Sequence, residues 1–112
     1  MRNLSCYFIF LVFFTIGMNY SNAYDFEADG IYYNINVKDK TATVTWGGEY
    51  TNAGTASYIG NIEIPSSITY FNQELPVVEI GDNAFCNCVE LNSVIIPTSV
   101  TNVNESAFKY CI

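Results

Sequence analysis

The sequence contains no histidine and only 4 lysine and arginine residues, against 11 aspartate and glutamate residues, which gives a net charge of -7. Histidine is the side chain that most often serves as general base, metal ligand or pH switch, so its absence removes the usual residue for each task. The shortage of cations argues against a nucleic-acid partner, because such surfaces neutralise phosphates with lysine and arginine. No spacing places two carboxylates across a cleft. We therefore expect no enzymatic activity, no catalytic residue, no metal and no cofactor.

The sequence also lacks an apolar run long enough to span a membrane. Its longest run, residues 6–18, has about a dozen residues, whereas a spanning helix needs roughly 20. The run follows Arg2 and precedes the small residues Ser21 and Ala23, an arrangement typical of a secretory signal peptide. We predict a signal peptide over residues 1–23, secreted or cell-surface localisation, and no stable membrane span after cleavage.

Composition excludes a disordered acidic tail. Hydrophobic residues make up 50% of the 112-residue chain and aromatic residues 16%, which is enough to form a core in one small domain.

The first part of this domain has the period of a β-sheet. Apolar side chains occupy alternate positions in residues 31–37 and again in residues 41–46, with a polar turn between the two runs. This pattern predicts strand, turn and strand. A glycine-rich loop follows, and a further strand is predicted over residues 58–64, ending at Pro65. We interpret residues 24–64 as an N-terminal β cap.

An internal repeat with an offset of 23 residues follows the cap. Residues 80–88, IGDNAFCNC, align with residues 103–111, VNESAFKYC, and IPTSV at residues 96–100 repeats IPSSI at residues 64–68. The segment Phe71–Glu79 interrupts the first copy and is predicted to be an insertion loop. One such unit cannot bury its apolar face alone, so neighbouring units are expected to stack.

The second copy contains a predicted short strand that ends at Pro97, because proline has no N–H to donate to a ladder. Leu91, Val94 and Ile96 are predicted to point from this strand into the core.

The AF-x-x-C and IP-x-S segments together resemble the BspA-like leucine-rich repeat of cell-surface proteins, and the strands before them resemble the β cap of such proteins. The resemblance implies a mainly β chain, in which a β-hairpin cap leads into a short right-handed solenoid with parallel strands. The repeats would occupy residues 65–112, the last one truncated. It also implies surface display and adhesion.

Three cysteines fall in the repeat region. Cys88 and Cys111 occupy equivalent positions, and we favour their stacking as small buried apolar groups. A disulfide between them in an exported protein, and a zinc site that includes Cys86, remain alternatives. Cys86 is the candidate free thiol, and an odd number of cysteines after cleavage argues against a disulfide framework.

The resemblance places the protein-binding surface on the outward side chains of the parallel strands. We expect a non-enzymatic, adhesin-like module that binds an extracellular or cell-surface protein. Two alternatives remain open: a structural protein that self-associates through an uncapped C-terminal repeat, and a truncated product without independent function. The residues predicted to form the binding face are Asn61, Glu63, Asn92, Ser93 and Ile95.

Overall fold

The computed structural model describes residues 24–47 and 57–111, so the predicted signal peptide lies outside the described residues. Strands and turns account for this part of the chain, and no helix within it is long and apolar enough to cross a membrane. Its strands are β1 Phe26–Ala28, β2 Ile31–Asn36, β3 Thr41–Thr45, β4 Gly60–Glu63, β5 Ser67–Tyr70, β6 Gln73–Ile80, β7 Leu91–Ile95 and β8 Asn102–Val103.

Three antiparallel strands, β1, β2 and β3, begin the fold. Asp29 and Gly30 join β1 to β2 with φ angles of 52° and 83°, the left-handed values that a type I′ hairpin turn requires. The predicted pair of alternating strands is confirmed. One residue differs: Val37 belongs to the alternating apolar positions of residues 31–37 but is 74% exposed, because β2 ends at Asn36 and Val37 lies in the turn.

The predicted insertion loop Phe71–Glu79 is wrong, because this segment forms the turn and most of the second strand of a β5–β6 hairpin. Leu75 and Val77 alternate inward along β6 and are buried. Pro76 fits this strand for a geometric reason. The N–H of Val77 donates to the carbonyl of Ser66, so the nitrogen of Pro76 points to the opposite edge of β6. On that edge β3 pairs with β6 only from Val77 onward, so the N–H that Pro76 lacks is not needed for a ladder bond.

Strand β6 connects the cap to the second repeat. It pairs in parallel with β3 on one side and with β8 on the other, and Ile80 lies between Val44 and Val103. The carboxylate of Glu79 accepts hydrogen bonds from Thr43 Oγ1 at 3.3 Å and from Asn102 Nδ2 at 2.9 Å. Backbone and side-chain hydrogen bonds therefore run across all three strands.

Strands β4 and β7 form a separate two-stranded parallel sheet. Gly60 pairs with Leu91 and Asn61 with Ser93, so Asn92 is an extra residue that bulges out of β7. The bulge explains how Leu91 and Val94, three positions apart, both pack against the core. The predicted parallel strands are confirmed.

The inward orientation predicted for Ile96 is wrong, since this side chain is 40% exposed. Its equivalent in the first copy, Ile64, is only 2% exposed. The N–H of Ile64 donates to the carbonyl of Ile95 at 3.0 Å, so the end of β7 flanks Ile64. Within the described residues, no third strand flanks Ile96 in the same way.

The two repeat copies stack on each other, as predicted, and the structure shows that they do so through their AF segments. The rings of Phe85 and Phe108 lie 4.9 Å apart at an interplanar angle of 3°, and the N–H of Phe85 donates to the carbonyl of Ala107 at 2.7 Å. Residues from both sheets contribute to one core. Its largest fully buried side chains are Tyr33, Phe85, Ile80, Val44, Val77 and Cys88.

Candidate functional site

The five predicted face residues lie together on the β4–β7 sheet, and we call them the β4–β7 face. All five are exposed: Asn61, Glu63, Asn92, Ser93 and Ile95. In the strand register, Asn61 lies opposite Ser93 and Glu63 lies opposite Ile95. Ser93 Oγ donates to Asn61 Oδ1 at 2.9 Å, which holds these two polar side chains in a fixed arrangement across the strands.

The β4–β7 face combines polar side chains with one apolar side chain. It offers two side-chain amides, one hydroxyl and one carboxylate together with an isoleucine, Ile95, that is 59% exposed. A mixture of apolar and polar side chains is the usual composition of a protein–protein contact. The face contains no pairing of nucleophile and base.

A surface cavity of about 450 Å³ adjoins this face and shares Glu63 with it. The turn between β1 and β2 forms one side of the cavity, and the chain from the end of β4 into β5 forms the other. We call it the Tyr33 cavity. Its lining residues are Ala28, Asp29, Ile31, Tyr33, Glu63, Pro65, Ser67, Ile68 and Thr69.

Tyr33 is fully buried, and its hydroxyl has no hydrogen-bond partner. Burial, and to a smaller extent the nearby Asp29 carboxylate, raises the pKa of Tyr33 to about 12. Buried polar groups almost always have a partner, so this hydroxyl is an exception. No pattern in the sequence indicates the cavity, because its two sides come from segments far apart in the chain.

The three repeat cysteines are free thiols, and Cys86 and Cys88 are buried. The favoured interpretation of Cys88 as a buried apolar group is therefore confirmed. Cys111 is half-buried, and its Sγ lies 2.7 Å from the carbonyl oxygen of Phe85. Burial raises the pKa of the Cys111 thiol. Among the residues that the structure describes, no three histidine, cysteine, aspartate or glutamate side chains are arranged to hold a metal ion.

Comparison with known proteins points to one family. Residues 50–112 match the family described as BspA type Leucine rich repeat region (6 copies). No curated protein matches the chain.

Two solved structures resemble the fold. One is a leucine-rich repeat protein from Bacteroides ovatus ATCC 8483, with a TM-score of 0.65 and 33% identity, covering 79% of this chain and 21% of that one. The other is a leucine rich cell surface protein from Faecalibacterium prausnitzii A2-165, with a TM-score of 0.61 and 32% identity, covering 77% of this chain and 21% of that one. This chain therefore spans about a fifth of the length of each structure.

Proposed function

Since the chain belongs to the BspA-type leucine-rich repeat family, we propose that it is an exported, non-enzymatic module that binds an extracellular or cell-surface protein through its β4–β7 face. The observation that carries the proposal is the exposure of five face residues side by side on one parallel strand pair. Two further points support export. The first 23 residues have the pattern of a signal peptide, and one structural relative is described as a cell surface protein.

Binding would depend on a surface that is already ordered. Backbone ladder bonds hold β4 and β7 in register, and the Ser93–Asn61 hydrogen bond fixes two side chains before any partner arrives. A preformed surface loses little conformational entropy on association. Ile95 would supply the apolar contact, and the surrounding amides and carboxylate would set specificity through directional hydrogen bonds.

The test is surface plasmon resonance of the chain against a panel of purified extracellular-matrix and serum proteins, with two matched variants. Ile95→Lys places a charge on the face, and Val37→Lys places the same charge in the β2–β3 turn. We expect Ile95→Lys to weaken binding at least about tenfold, as for a main apolar contact residue, and Val37→Lys to bind like the parent. A folded parent chain that binds nothing in the panel, or equal loss in both variants, would contradict the proposal.

A second candidate function is self-association through the second repeat. Val103 is 45% exposed, whereas its equivalent Ile80 is fully buried, and Ile96 differs from Ile64 in the same direction. Solenoid repeats bury this surface by stacking another repeat on it. In this alternative, a second copy of the chain supplies that repeat.

Sedimentation velocity over a dilution series separates the two candidates. Self-association gives a sedimentation coefficient that falls on dilution, and Val103→Lys gives a monomer at every concentration. Val89→Lys is the control, because Val89 is also exposed but lies in the turn before β7. A parent chain that stays monomeric throughout would reject this candidate and leave the first one standing.

A further inference from the structure

The hydroxyl of Tyr33 lacks a partner within the described residues, although the residue is fully buried and lines a cavity. A phenylalanine would fill the same ring volume without leaving a polar atom unpaired. Asp29 lines the same cavity. Tyr33, with its unpaired hydroxyl, and a carboxylate-bearing residue therefore line one space that a ligand can enter.

The cavity is negatively charged. Asp29 and Glu63 both line it, and none of the other lining residues carries a positive charge. The described residues place no lysine within ion-pair distance of either carboxylate. A ligand that brings a positive charge would meet two acceptors without competition from a lysine or arginine in the lining. The net charge of -7 on the whole chain favours the approach of such a ligand as well.

The walls of the cavity favour a cation with an aliphatic stem. Ala28, Ile31, Pro65 and Ile68 supply apolar surface, while the polar groups are acceptors or hydroxyls. A guanidinium group has N–H donors in a planar fork, no acceptor, and in arginine a three-carbon stem. A bare metal ion fits poorly, because the described residues bring no third charged ligand. A sugar would need an exposed aromatic ring to stack on, and the ring of Tyr33 is buried.

We propose that the Tyr33 cavity binds a guanidinium group, presented as an arginine side chain by the protein that contacts the β4–β7 face. The guanidinium donates to Asp29, Glu63 and the phenol oxygen, and the phenol donates its own proton to a carboxylate. Glu63 belongs to both surfaces, so a partner lying on the face would reach the cavity with one side chain. This inference rests on the proposed function for the source of the arginine.

Nuclear magnetic resonance titration of the purified chain tests the site without any partner. The probe is N-acetyl-arginine methylamide, and the control probe is N-acetyl-citrulline methylamide, which replaces the guanidinium by a neutral urea of the same shape. We expect saturable shifts in residues 28–33 and 63–69 with the arginine probe, and binding at least about tenfold weaker with citrulline. The arginine affinity should fall as salt is added.

Three variants assign the contacts. Asp29→Asn removes the charge and keeps a residue that tolerates a φ of 52°, and it should weaken arginine binding about tenfold. Tyr33→Phe should weaken binding severalfold while leaving the stability of the unliganded chain undiminished, a combination that a merely structural role would not produce. Glu90→Gln is the charge-matched control, since Glu90 is exposed and outside the cavity, and it should bind like the parent.

Several results would overturn the inference. They are equal binding of both probes, no saturable shift up to about 100 mM, or variants that bind like the parent. Shifts with methyl glycosides but not with the arginine probe would replace it by a carbohydrate site. If free arginine binds tenfold tighter than the capped probe, the ligand is the free amino acid and not an arginine side chain of a partner protein. If Ile95→Lys abolishes partner binding while Asp29→Asn does not, the cavity inference fails and the proposed function stands.

Discussion

At the scale of single residues, two buried tyrosines have opposite hydrogen-bonding states. The hydroxyl of Tyr58 accepts from the N–H of Tyr32 at 3.0 Å and donates to the carbonyl of Thr45 at 2.6 Å. Tyr32 and Thr45 face each other across β2 and β3, so Tyr58 bridges the two strands. The hydroxyl of Tyr33 makes no such bond.

This difference predicts opposite effects from the same chemical change. Tyr58→Phe leaves the backbone groups of Tyr32 and Thr45 without their partner, so it should lower the free energy of unfolding by about 1–3 kcal/mol. Tyr33→Phe removes only an unpaired hydroxyl and should cause no loss. Urea denaturation of the two variants beside the parent measures both values. An equal loss in both would show that Tyr33 has a hydrogen-bond partner in solution.

At the scale of elements, two hairpin turns share a backbone shape but differ in sequence. Asp29 and Gly30 suit the left-handed conformation of the β1–β2 turn. The β5–β6 turn uses Phe71 and Asn72, with φ angles of 48° and 64°. Phenylalanine is costly there, because a left-handed backbone brings its Cβ too close to the following carbonyl oxygen.

Substitutions at these two turns should therefore change stability in opposite directions. Phe71→Asn should raise the free energy of unfolding by about 1 kcal/mol, and Gly30→Ala should lower it by about as much. The methyl added at Gly30 meets nothing within 4 Å, so backbone strain alone accounts for the expected loss. Thermal unfolding followed by circular dichroism gives both changes. A loss with Phe71→Asn would mean that the ring contact between Phe71 and Tyr70 outweighs the strain.

Elements with a strong local pattern could be predicted, and those set by long-range pairing could not. The alternation in residues 31–36 predicts β2, and the 23-residue offset predicts the stacking of Phe85 on Phe108. The β5–β6 hairpin does not follow from the repeat pattern, because Pro76 and the extra residues look like an insertion when the two repeats are aligned. The bulge at Asn92 depends on pairing with β4, which the sequence of β7 alone does not encode.

The two candidate sites also differ in whether local sequence or long-range packing determines them. The five face residues follow from the resemblance, and alternation alone accounts only for Asn61 and Glu63 on β4, because the bulge exposes the adjacent Asn92 and Ser93 together. The Tyr33 cavity depends on how the β1–β2 turn approaches the connection from β4 to β5, a tertiary arrangement. No spacing in the sequence links Asp29 to Glu63.

At the scale of the whole molecule, the cap and the repeats share one core. Titration of the buried tyrosines should therefore change the free energy of unfolding of the whole fold. Burial raises the pKa of Tyr33 to about 12, and burial also raises the pKa of Tyr58, whose ring packs 4.6 Å from that of Phe85. Ionising either phenol requires a charge in this core. The folded state therefore keeps two phenol protons that the unfolded chain releases near the ordinary pKa of 10.0.

The free energy of unfolding should accordingly decrease in the alkaline range. In the folded chain both phenols stay protonated above the unfolded pKa, so their contribution is complete below pH 10.0 and decreases as pH rises from there through about 12. Urea denaturation at several values between about pH 8 and pH 11.5 measures the slope. Tyr33→Phe should make the slope of the free energy of unfolding against pH less steep, although that variant is not less stable at neutral pH.

Tyr110→Phe is the control for this slope, because Tyr110 is exposed and lies outside the core. If Tyr33→Phe and Tyr110→Phe give the same slope, the Tyr33 phenol ionises as easily in the folded chain as in the unfolded one. That result would mean that water reaches its oxygen through the cavity, and the hydroxyl would then have a solvent partner in place of the guanidinium.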